Sequence, residues 1–458
     1  MITPASVPPR AAAAARQLRA SVRGSVLEPA DASYDGARQL WNGAIDRRPA
    51  VIVRCVDDND VAVAVRTARE HGLPVSVLGG GHDWAGRALR ENGLLIDLSA
   101  MRRVTVDAAS STATIDGGTR TGDLVRSAGE YGLAPVTGTV NAVGLTGLTL
   151  AGGYGLLAGQ HGLALDNLLG ARIVLADGSQ VIADATQNPD LYWAIRGGGG
   201  NFGVATTLRY RVHPISTVLS GLLLFPLSDA TSVLRGYGDV LAEAPDELTV
   251  MSGFFCGPDG QPLLFLLPTW SGDLGRGEYL VSRFAKLGTP VAGQLAPMRY
   301  PDVLSQFDDV VVNGRHNDMH TRWLPELTEA SISAIVAAAG RMTSPYSSMF
   351  LHHFHGAATR VHRGDTAFAL RRDHLLVEIV ASWVPSDGAN DGVHRRWTRM
   401  LSDELAPHAL PGGYANLLGA DEHDRALLGF GENARKLLAV KHRYDPDNVF
   451  SAVGDINR

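Results

Sequence analysis

The sequence predicts an α+β fold, and two observations lead to this prediction. Between residues 50 and 132, short apolar, β-branched segments alternate with amphipathic segments of helical period, a pattern compatible with an α/β or an α+β first domain. After residue 215, glycine becomes less frequent and longer strand-like segments alternate with helical ones. This change in texture predicts a second, strand-rich domain, and the chain as a whole is therefore predicted to be α+β.

In the first half, each predicted element has a local signal. Residues 50–56 are short, apolar and β-branched, which indicates a buried strand. Asp57–Asp60 offers caps for a helix over residues 61–72, which Gly72 closes. We predict further strands at 73–79, 93–99 and 113–118, a helix at 121–132, a hairpin at 171–184 with its turn at Asp177–Gly178, and a short helix, a glycine loop and a strand within 191–215.

The second half gives the domain organisation. Strands are predicted at 263–270 and 375–384, a helix at 326–342, and a last helix within 435–450 that a proline-containing turn ends. We place one boundary near residue 215, where the texture changes, and a return to the first domain near residue 411. The predicted domains are therefore 1–214, 215–410 and 411–458.

Length and composition limit the possible classes of protein. The 458 residues are enough for two or three cores, because single cores rarely grow past about 250–300 residues. The net charge of −6 and the lack of a basic patch argue against nucleic-acid binding. No run of about 18 apolar residues could span a membrane, and the N-terminus lacks the apolar core of a secretory signal. We therefore expect a cytoplasmic protein with no membrane or nucleic-acid partner.

The segment at residues 77–86, VLGGGHDWAG, is the strongest local motif. Three glycines after a strand expose successive backbone N–H groups, which suits a pyrophosphate, and His82 and Asp83 follow at once. A histidine beside a glycine loop is, however, more often structural. Gly153–Ala158 matches the dinucleotide pattern G-x-G-x-x-A, but its acid, Asp177, falls in a hairpin turn rather than at the end of a strand in a βαβ unit. We therefore reject nicotinamide-cofactor binding.

The run His352–His355 suggests a metal at first sight. In a strand, His353 and His355 share one face and His352 lies on the other. Two ligands on one face need a third from elsewhere, and none is suitably spaced, so we predict no metal site and favour a polar face that borders a cavity. Cys55 and Cys256 are far apart in sequence and are interpreted as buried thiols.

Together, the longer motifs make the chain similar to the FAD-linked oxidases of the vanillyl-alcohol-oxidase superfamily, in the berberine-bridge-enzyme-like branch. The similarity covers about residues 30–215 and 410–455. It is carried by the GGGHD loop, VGLTGLTLAGGYGLLAGQHGLALDNLLGA, DLYWAIRGGGGNFGV, GGYANLLG and KHRYDPDNVF. The resemblance implies a two-domain FAD-binding fold of this type with an antiparallel-sheet substrate domain.

The resemblance also implies how the cofactor is held. The family histidine of the GGGH loop bonds covalently to the flavin 8α-methyl group, which implies His82. Val140 stands where many members have a second, cysteinyl link, which implies FAD held by one covalent bond. The other cofactor-binding residues implied by the resemblance or by the loop are Gly79, Gly80, Gly81, Asp83, Gly138, Val143, Gly144, Thr146, Gly147, Gly152, Gly153, Gly155, Asp166, Asn167, Val204 and Asn416.

The implied reaction is hydride transfer from a small organic molecule to the flavin, followed by reoxidation by O₂ to give hydrogen peroxide. A base must remove an O–H or N–H proton, and the candidates, in falling order, are Tyr414, His353 and Glu378. Val143 holds the position that flanks the oxygen-facing side of the flavin in relatives, where a small or β-branched residue accompanies oxidases. The alternatives are a dehydrogenase of the same fold with another acceptor, and a flavin-holding protein that binds metabolites without turnover.

Overall fold

A four-stranded sheet and its helices form the N-terminal part of the fold. The computed structural model describes residues 9–385, 391–419 and 421–452, so the outermost residues of the predicted first and last domains lie outside it. The elements of this part, in chain order, are α1 (Pro9–Ser21), β1 (Ser25–Leu27), α2 (Tyr34–Ala37), β2 (Val51–Arg54), α3 (Asp58–Glu70), β3 (Val75–Leu78) and β4 (Leu94–Asp97). The strand order is β1-β2-β4-β3; β4 pairs in parallel with β2 and β3, and β1 is antiparallel.

The predicted signals explain these elements. β2 is almost entirely buried, as its apolar, β-branched sequence requires. The Asp57 carboxylate caps α3 by accepting a hydrogen bond from the Asp60 N–H, and Gly72 follows the helix with φ of +61°. Helices α1 and α3 pack together against the strands, and their alanine and valine side chains form one core with the sheet.

The second sheet contains residues 104–213. Its elements are β5 (Val104–Asp107), β6 (Thr112–Asp116), α4 (Thr121–Gly129), β7 (Ala134–Pro135), α5 (Leu145–Ala151), α6 (Ala158–His161), β8 (Leu168–Val174), β9 (Gln180–Asp184), α7 (Pro189–Ala194) and β10 (Val204–His213). The order is β5-β6-β10-β8-β9, with β7 on β10, and every pair is antiparallel. The predicted hairpin is confirmed, because Asp177 and Gly178 form the turn between β8 and β9. Asp177 is thus not at the end of a βαβ strand, which supports the rejection of nicotinamide binding.

The third sheet is formed by strands between Thr217 and Trp383. The elements from there to the C-terminus are β11 (Thr217–Ser220), β12 (Leu223–Pro226), α8 (Ala230–Ala242), β13 (Leu248–Cys256), β14 (Pro262–Trp270), α9 (Leu274–Ala285), β15 (Ala292–Gly293), β16 (Ala296–Arg299), α10 (Tyr300–Ser305), β17 (His316–Leu324), α11 (Glu329–Ala339), β18 (Ser348–Phe354), α12 (Ala357–Arg360), β19 (His374–Trp383), α13 (Asp391–Leu405), α14 (His423–Phe430) and α15 (Ala434–Tyr444). The sheet is antiparallel, its main path is β15-β12-β14-β13-β18-β19-β17, and β11 pairs with β14 and β16.

This sheet has two different faces. One face packs against α8, α9, α11 and α13 to form the largest apolar core, to which Leu351 and Val377 belong. Because side chains alternate along a strand, their neighbours Phe350 and Glu378 lie on the opposite face. The predicted antiparallel sheet is confirmed, whereas the boundaries at 215 and 411 stay predictions.

The C-terminal segment is fixed by a buried ion pair. The Lys441 ammonium lies 2.5 Å from the Asp445 carboxylate, and both side chains are fully buried. The ammonium also donates to the backbone oxygens of Asn201 and Phe450, at 2.7 and 2.5 Å. Lys441 therefore joins α15 and the chain after it to the glycine-rich loop that precedes β10.

Replacing Lys441 with methionine tests this anchor. Lys441→Met should lower the free energy of unfolding by about 3–5 kcal/mol, because it leaves the Asp445 carboxylate buried without its cation. Urea denaturation of the purified protein measures the change. Arg435→Met, at an exposed position of the same helix, is the matched control and should cost less than about 0.5 kcal/mol. Equal effects of the two substitutions would contradict the anchoring role.

Candidate active site

One large cavity contains most of the predicted site residues. Its volume is about 750 Å³, within the range of small-molecule and cofactor sites. One part of its wall comes from glycine-rich segments of the first two sheets, and another part from the third sheet. The predicted residues that line it are Gly79, Gly80, Gly81, His82, Asp83, Gly138, Val143, Gly144, Thr146, Gly147, Val204, Glu378, Tyr414 and Asn416.

The glycine-rich wall depends on a close approach of two backbone segments. β3 ends at Leu78, and the loop after it meets the segment that leads into α5. A Cβ atom on Gly80 would lie 2.2 Å from the Gly144 nitrogen, and one on Gly144 would lie 2.3 Å from the Gly80 nitrogen. Neither position tolerates a side chain, so bare backbone borders the cavity here. This is the cradle that the pyrophosphate and ring system of the implied cofactor require, and the residues present fit FAD.

His82 lies at the end of this loop with its ring largely shielded from solvent. Burial, assisted by the nearby Arg120 charge, lowers the pKa of His82 to about 4, so the imidazole is neutral near pH 7. Its ring stacks on the indole of Trp41. Val140 lines the same cavity.

Asp83 lines the cavity, and its carboxylate is paired with a neighbouring arginine. Its carboxylate accepts hydrogen bonds from the Arg87 guanidinium at 2.5 and 2.9 Å. The same guanidinium donates to the backbone oxygens of Ala415 and Asn416. Asp83 therefore orients Arg87, which joins the histidine loop to the segment that carries Tyr414.

Tyr414 reaches the cavity from the segment before α14. Its hydroxyl oxygen accepts hydrogen bonds from the Gly153 N–H at 2.8 Å and from the Asn416 side-chain amide at 2.9 Å. Burial is the main cause that raises the pKa of Tyr414 to about 12; the Glu378 carboxylate adds to the rise, and the two hydrogen bonds oppose it. The hydroxyl therefore keeps its proton near neutral pH.

Three predicted cofactor residues need correction. Gly152, Gly153 and Gly155 do not line the cavity; they form the layer behind it. A Cβ on Gly152 would lie 2.5 Å from the Tyr414 ring, and Gly153 donates to the Tyr414 hydroxyl. Gly152 therefore allows Tyr414 to pack close to the backbone and Gly153 holds its hydroxyl, so their effect on the site is indirect. Gly155 packs instead against Thr137, because a Cβ there would lie 1.9 Å from the Thr137 oxygen.

Asp166 and Asn167 also lie away from the cavity, which corrects a second prediction. The Asp166 carboxylate forms a bidentate ion pair with the buried Arg371 guanidinium, with both contacts at 2.8 Å. The Asn167 amide donates to the backbone oxygens of His161 and Leu163, and its oxygen contacts His213. Both side chains thus hold the chain around the short 3₁₀-helix that precedes β8.

The third sheet contributes a carboxylate and an imidazole. Glu378 on β19 and Phe350 on β18 are register partners on the cavity face. His352, two residues along β18, places its Nε2 atom 3.2 Å from Glu378 Oε1. The alignment of this contact is not that of a hydrogen bond, and the two groups form a loosely paired dyad at the cavity wall.

The candidate base His353 does not line the cavity. The predicted alternation is correct, since the rings of His353 and His355 stack with centroids 3.8 Å apart. However, that pair lies on the face turned away from the cavity, and His352 faces the cavity instead. Burial moves the pKa of His353 well below its ordinary value, and the nearby His355 and His374 act in the same direction. The strand period predicts which histidines share a face, but it does not indicate which face borders the site.

Aromatic side chains complete the wall around the dyad. The ring centroids of Phe255 and Phe265 are 5.8 Å apart, and those of Phe265 and Phe350 are 5.9 Å apart. Cys256, interpreted from sequence as buried, is partly exposed and also lines the cavity, whereas Cys55 is buried. Within the described ranges, no group of three or more histidine, cysteine or acidic side chains could hold a metal ion. None of the described helices has the length and apolar character needed to cross a membrane.

Comparison with known proteins identifies the family. Residues 49–184 match the family described as FAD binding domain, and residues 413–455 match the family described as berberine and berberine like. The chain is 30% identical to the FAD-linked oxidoreductase YgaK of Bacillus subtilis, across 94% of this chain and 96% of the relative. It is also 30% identical to (R)-6-hydroxynicotine oxidase of Paenarthrobacter nicotinovorans, again across 94% of this chain and 96% of the relative.

Solved structures agree with this result. The crystal structure of 6-hydroxy-D-nicotine oxidase from Arthrobacter nicotinovorans has 31% identity and a TM-score of 0.86, and the match covers 95% of this chain and 98% of that one. A berberine bridge enzyme variant with 21% identity and a TM-score of 0.86 shares the fold; this match covers 97% of this chain and 98% of that one. The chain therefore belongs to the FAD-linked oxidoreductases of the berberine-bridge-enzyme-like branch of the vanillyl-alcohol-oxidase superfamily.

Proposed function

We propose that this protein oxidises a small organic molecule with FAD that is tethered through His82, and that it passes the electrons to O₂. The observation that carries the proposal is that one cavity is lined both by the bare backbone around Gly80 and Gly144 and by Glu378, His352 and Tyr414. A cofactor held by the first set and a substrate held by the second would share the same enclosed space.

When bound, FAD supplies the hydride acceptor, and the redox chemistry is the cofactor's own. The contribution of this chain is proton handling and orientation. Glu378 is the group that we assign as the base, because its carboxylate faces the cavity and can accept the O–H or N–H proton of a substrate as the hydride leaves. The Nε2 atom of His352 lies 3.2 Å from Glu378 Oε1 and can accept the proton in turn.

Tyr414 has a different role in this proposal. A phenol whose pKa is raised to about 12 is a poor base near pH 7, because it is almost entirely protonated there. Its oxygen already accepts two hydrogen bonds, from Gly153 and Asn416, which leaves its own proton free to donate. Tyr414 thus serves as a donor that orients the substrate, and Glu378 takes first place among the candidate bases.

The cavity wall also limits the kind of substrate. The row Phe255, Phe265 and Phe350 provides aromatic surface beside the Glu378–His352 dyad. Such a wall favours a planar or largely apolar molecule with one protic group, and a carboxylate recognises a hydroxyl or an amine. The similarity to a hydroxynicotine oxidase is compatible with this class. We would screen phenols, hydroxylated N-heterocyclic amines, polyketides and sugars for bleaching of the flavin colour.

The tether is supported by the place and state of His82. The ring borders the cavity next to the glycine loop, and its pKa of about 4 keeps the imidazole neutral, with a lone pair that can bond to carbon. Val140 at the cysteinyl position cannot form a second link, so one covalent bond is proposed.

Loss of the imidazole should abolish the tether. After acid precipitation the unmutated protein should stay yellow, and its band on a denaturing gel should fluoresce. His82→Ala should release all its FAD under the same treatment, because the bond to carbon is lost. His362→Ala, at an exposed histidine, is the control and should retain the cofactor. Release of free FAD by the unmutated protein would reject the covalent link.

Substitution of the assigned base should slow substrate oxidation. Glu378→Gln keeps the size of the side chain but cannot accept the proton, so the rate of anaerobic flavin bleaching should fall about 10²–10⁴-fold. Tyr414→Phe should lose less, about tenfold, because it removes a donor. Ser382→Ala, on the same strand and also at the cavity, is the control and should stay near the unmutated rate. The assignment fails if Tyr414→Phe proves far more damaging than Glu378→Gln.

Oxygen reactivity is tested at Val143. The side chain lines the cavity directly before Gly144, and in the family a bulkier leucine at this position accompanies dehydrogenases. Val143→Leu adds one methylene to a close-packed wall and should slow reoxidation by air about tenfold or more. Stopped-flow mixing of photoreduced protein with air-saturated buffer measures the rate without a substrate. Val77→Leu, which adds the same methylene elsewhere along the cavity, is the control. Unmutated protein that reoxidises no faster than free reduced flavin would favour a dehydrogenase.

A further inference from the structure

Trp41 is a cavity residue that no sequence motif indicates. It lies between α2 and β2, and its indole ring stacks on the imidazole of His82 with a centroid distance of 5.4 Å and an interplanar angle of 15°. Both rings line the cavity. This stacking matters because, among the described residues, no hydrogen bond of the structure holds the His82 ring nitrogens. The indole is therefore an aromatic contact that lies nearly parallel to the imidazole.

The backbone on both sides of Trp41 is fixed, so its ring is a rigid surface. The backbone N–H of Trp41 donates to the backbone oxygen of Gly81 at 3.0 Å. This bond joins Trp41 to the residue directly before His82. On the other side, the Trp41 oxygen accepts from the Gly314 N–H at 3.0 Å, and the Gly43 N–H donates to the Arg315 oxygen at 2.8 Å. Three backbone hydrogen bonds thus hold the segment between the histidine loop and the chain that leads into β17.

The buried side chain of Asn42 also joins the histidine loop to the chain that leads into β17. Its side-chain amide donates to the Trp84 oxygen at 2.7 Å and to the Asn317 oxygen at 3.0 Å. Its side-chain oxygen accepts from the Asn317 N–H at 2.9 Å. The same side chain therefore contacts the loop after His82 and the first residues of β17. Buried amides with satisfied hydrogen bonds specify one conformation of the surrounding chain.

We infer that Trp41 is a positioning residue that holds the His82 imidazole in the plane required for bond formation with FAD. The inference rests on the proposed tether. Bond formation joins an imidazole nitrogen to the 8α carbon and breaks a C–H bond at that carbon and the ring N–H bond. The two electrons and two protons go to the flavin and then to dioxygen, which becomes hydrogen peroxide. A nucleophile that reacts at one carbon needs a fixed orientation, because a misplacement of about 1 Å can cost about 10²-fold in rate.

The test separates orientation from cofactor affinity. Full-length protein produced without flavin is mixed with excess FAD in air, and the first-order rate of tether formation is followed by acid quenching and fluorescence of the denatured band. Affinity for FAD is measured separately, by flavin fluorescence, in a His82→Ala background where no tether can form. Trp41→Leu should slow tether formation about tenfold or more and change the affinity less than about threefold.

Matched variants complete the design. Trp41→Phe keeps an aromatic face and should form the tether within about threefold of the unmutated rate. Trp84→Phe, a tryptophan two residues after His82 whose indole N–H donates to the Leu417 oxygen, should also stay within about threefold. If Trp41→Leu does not fold, Trp41→Met, which is unbranched and flexible, carries the same test.

The possible results distinguish failure of the Trp41 inference from failure of the proposed tether. Tether formation by Trp41→Leu at the unmutated rate would overturn the inference and leave the proposed tether intact. A parallel fall in rate and affinity would also overturn it, because that would be the effect of general damage to the site. An unmutated protein that forms no tether would instead reject the role proposed for His82.

Discussion

Gly80 and Gly144 bring two backbone segments so close together that neither position has room for a Cβ atom. This contact joins the end of β3, in the first sheet, to the start of α5, beside the second sheet. It leaves a wall of backbone where a flat ring system and a pyrophosphate can approach, and it fixes the residues that follow on each side. His82, the residue of the proposed tether, and Val143, the residue at which oxygen reactivity would be tested, lie directly beside this contact.

The third sheet has one face packed against helices and one face that borders the cavity. Its helix-covered face is a continuous apolar core, in which residues such as Leu351 and Val377 are fully buried. That packing holds the strands, and the alternation of side chains then presents Phe350, His352 and Glu378 to the cavity without a loop to support them. A carboxylate on a strand that is paired on both sides, as β19 is, is held in place better than one on a loop, which suits proton transfer at a defined atom.

Local signals were sufficient for much of the fold and for only part of the site. The buried strand at β2, the capped helix α3 and the Asp177–Gly178 hairpin follow from composition and turn chemistry, which act over a few residues. The resemblance implied that Asp166 and Asn167 bind the cofactor. In the structure, Asp166 forms an ion pair with Arg371, and the Asn167 side-chain oxygen contacts His213. The sequence did not indicate that His352, and not His353, faces the cavity, because strand alternation fixes relative faces while the packing of distant helices decides which face borders the cavity.

Trp41 could not be found from sequence for a related reason. Its partners are Gly81 and His82 on one side and Gly314 on the other, and nothing near residue 41 indicates contacts so far along the chain. Helix α5 was also missed, because its glycine and threonine content favours a loop by local propensity and only packing around Leu145 and Leu150 makes it a helix.

The way Tyr414 and Asn416 reach the cavity has a consequence for biosynthesis. These two side chains and Lys441, which anchors α15, follow the glycine loop and His82 by more than 300 residues, so they are synthesised later. Until these residues are made, the chain lacks part of the cavity wall. Long-range contacts of this kind form late and slowly. The wall of the cavity is therefore complete only once the segment that carries Tyr414 and Asn416 has packed against the glycine-rich backbone made long before it.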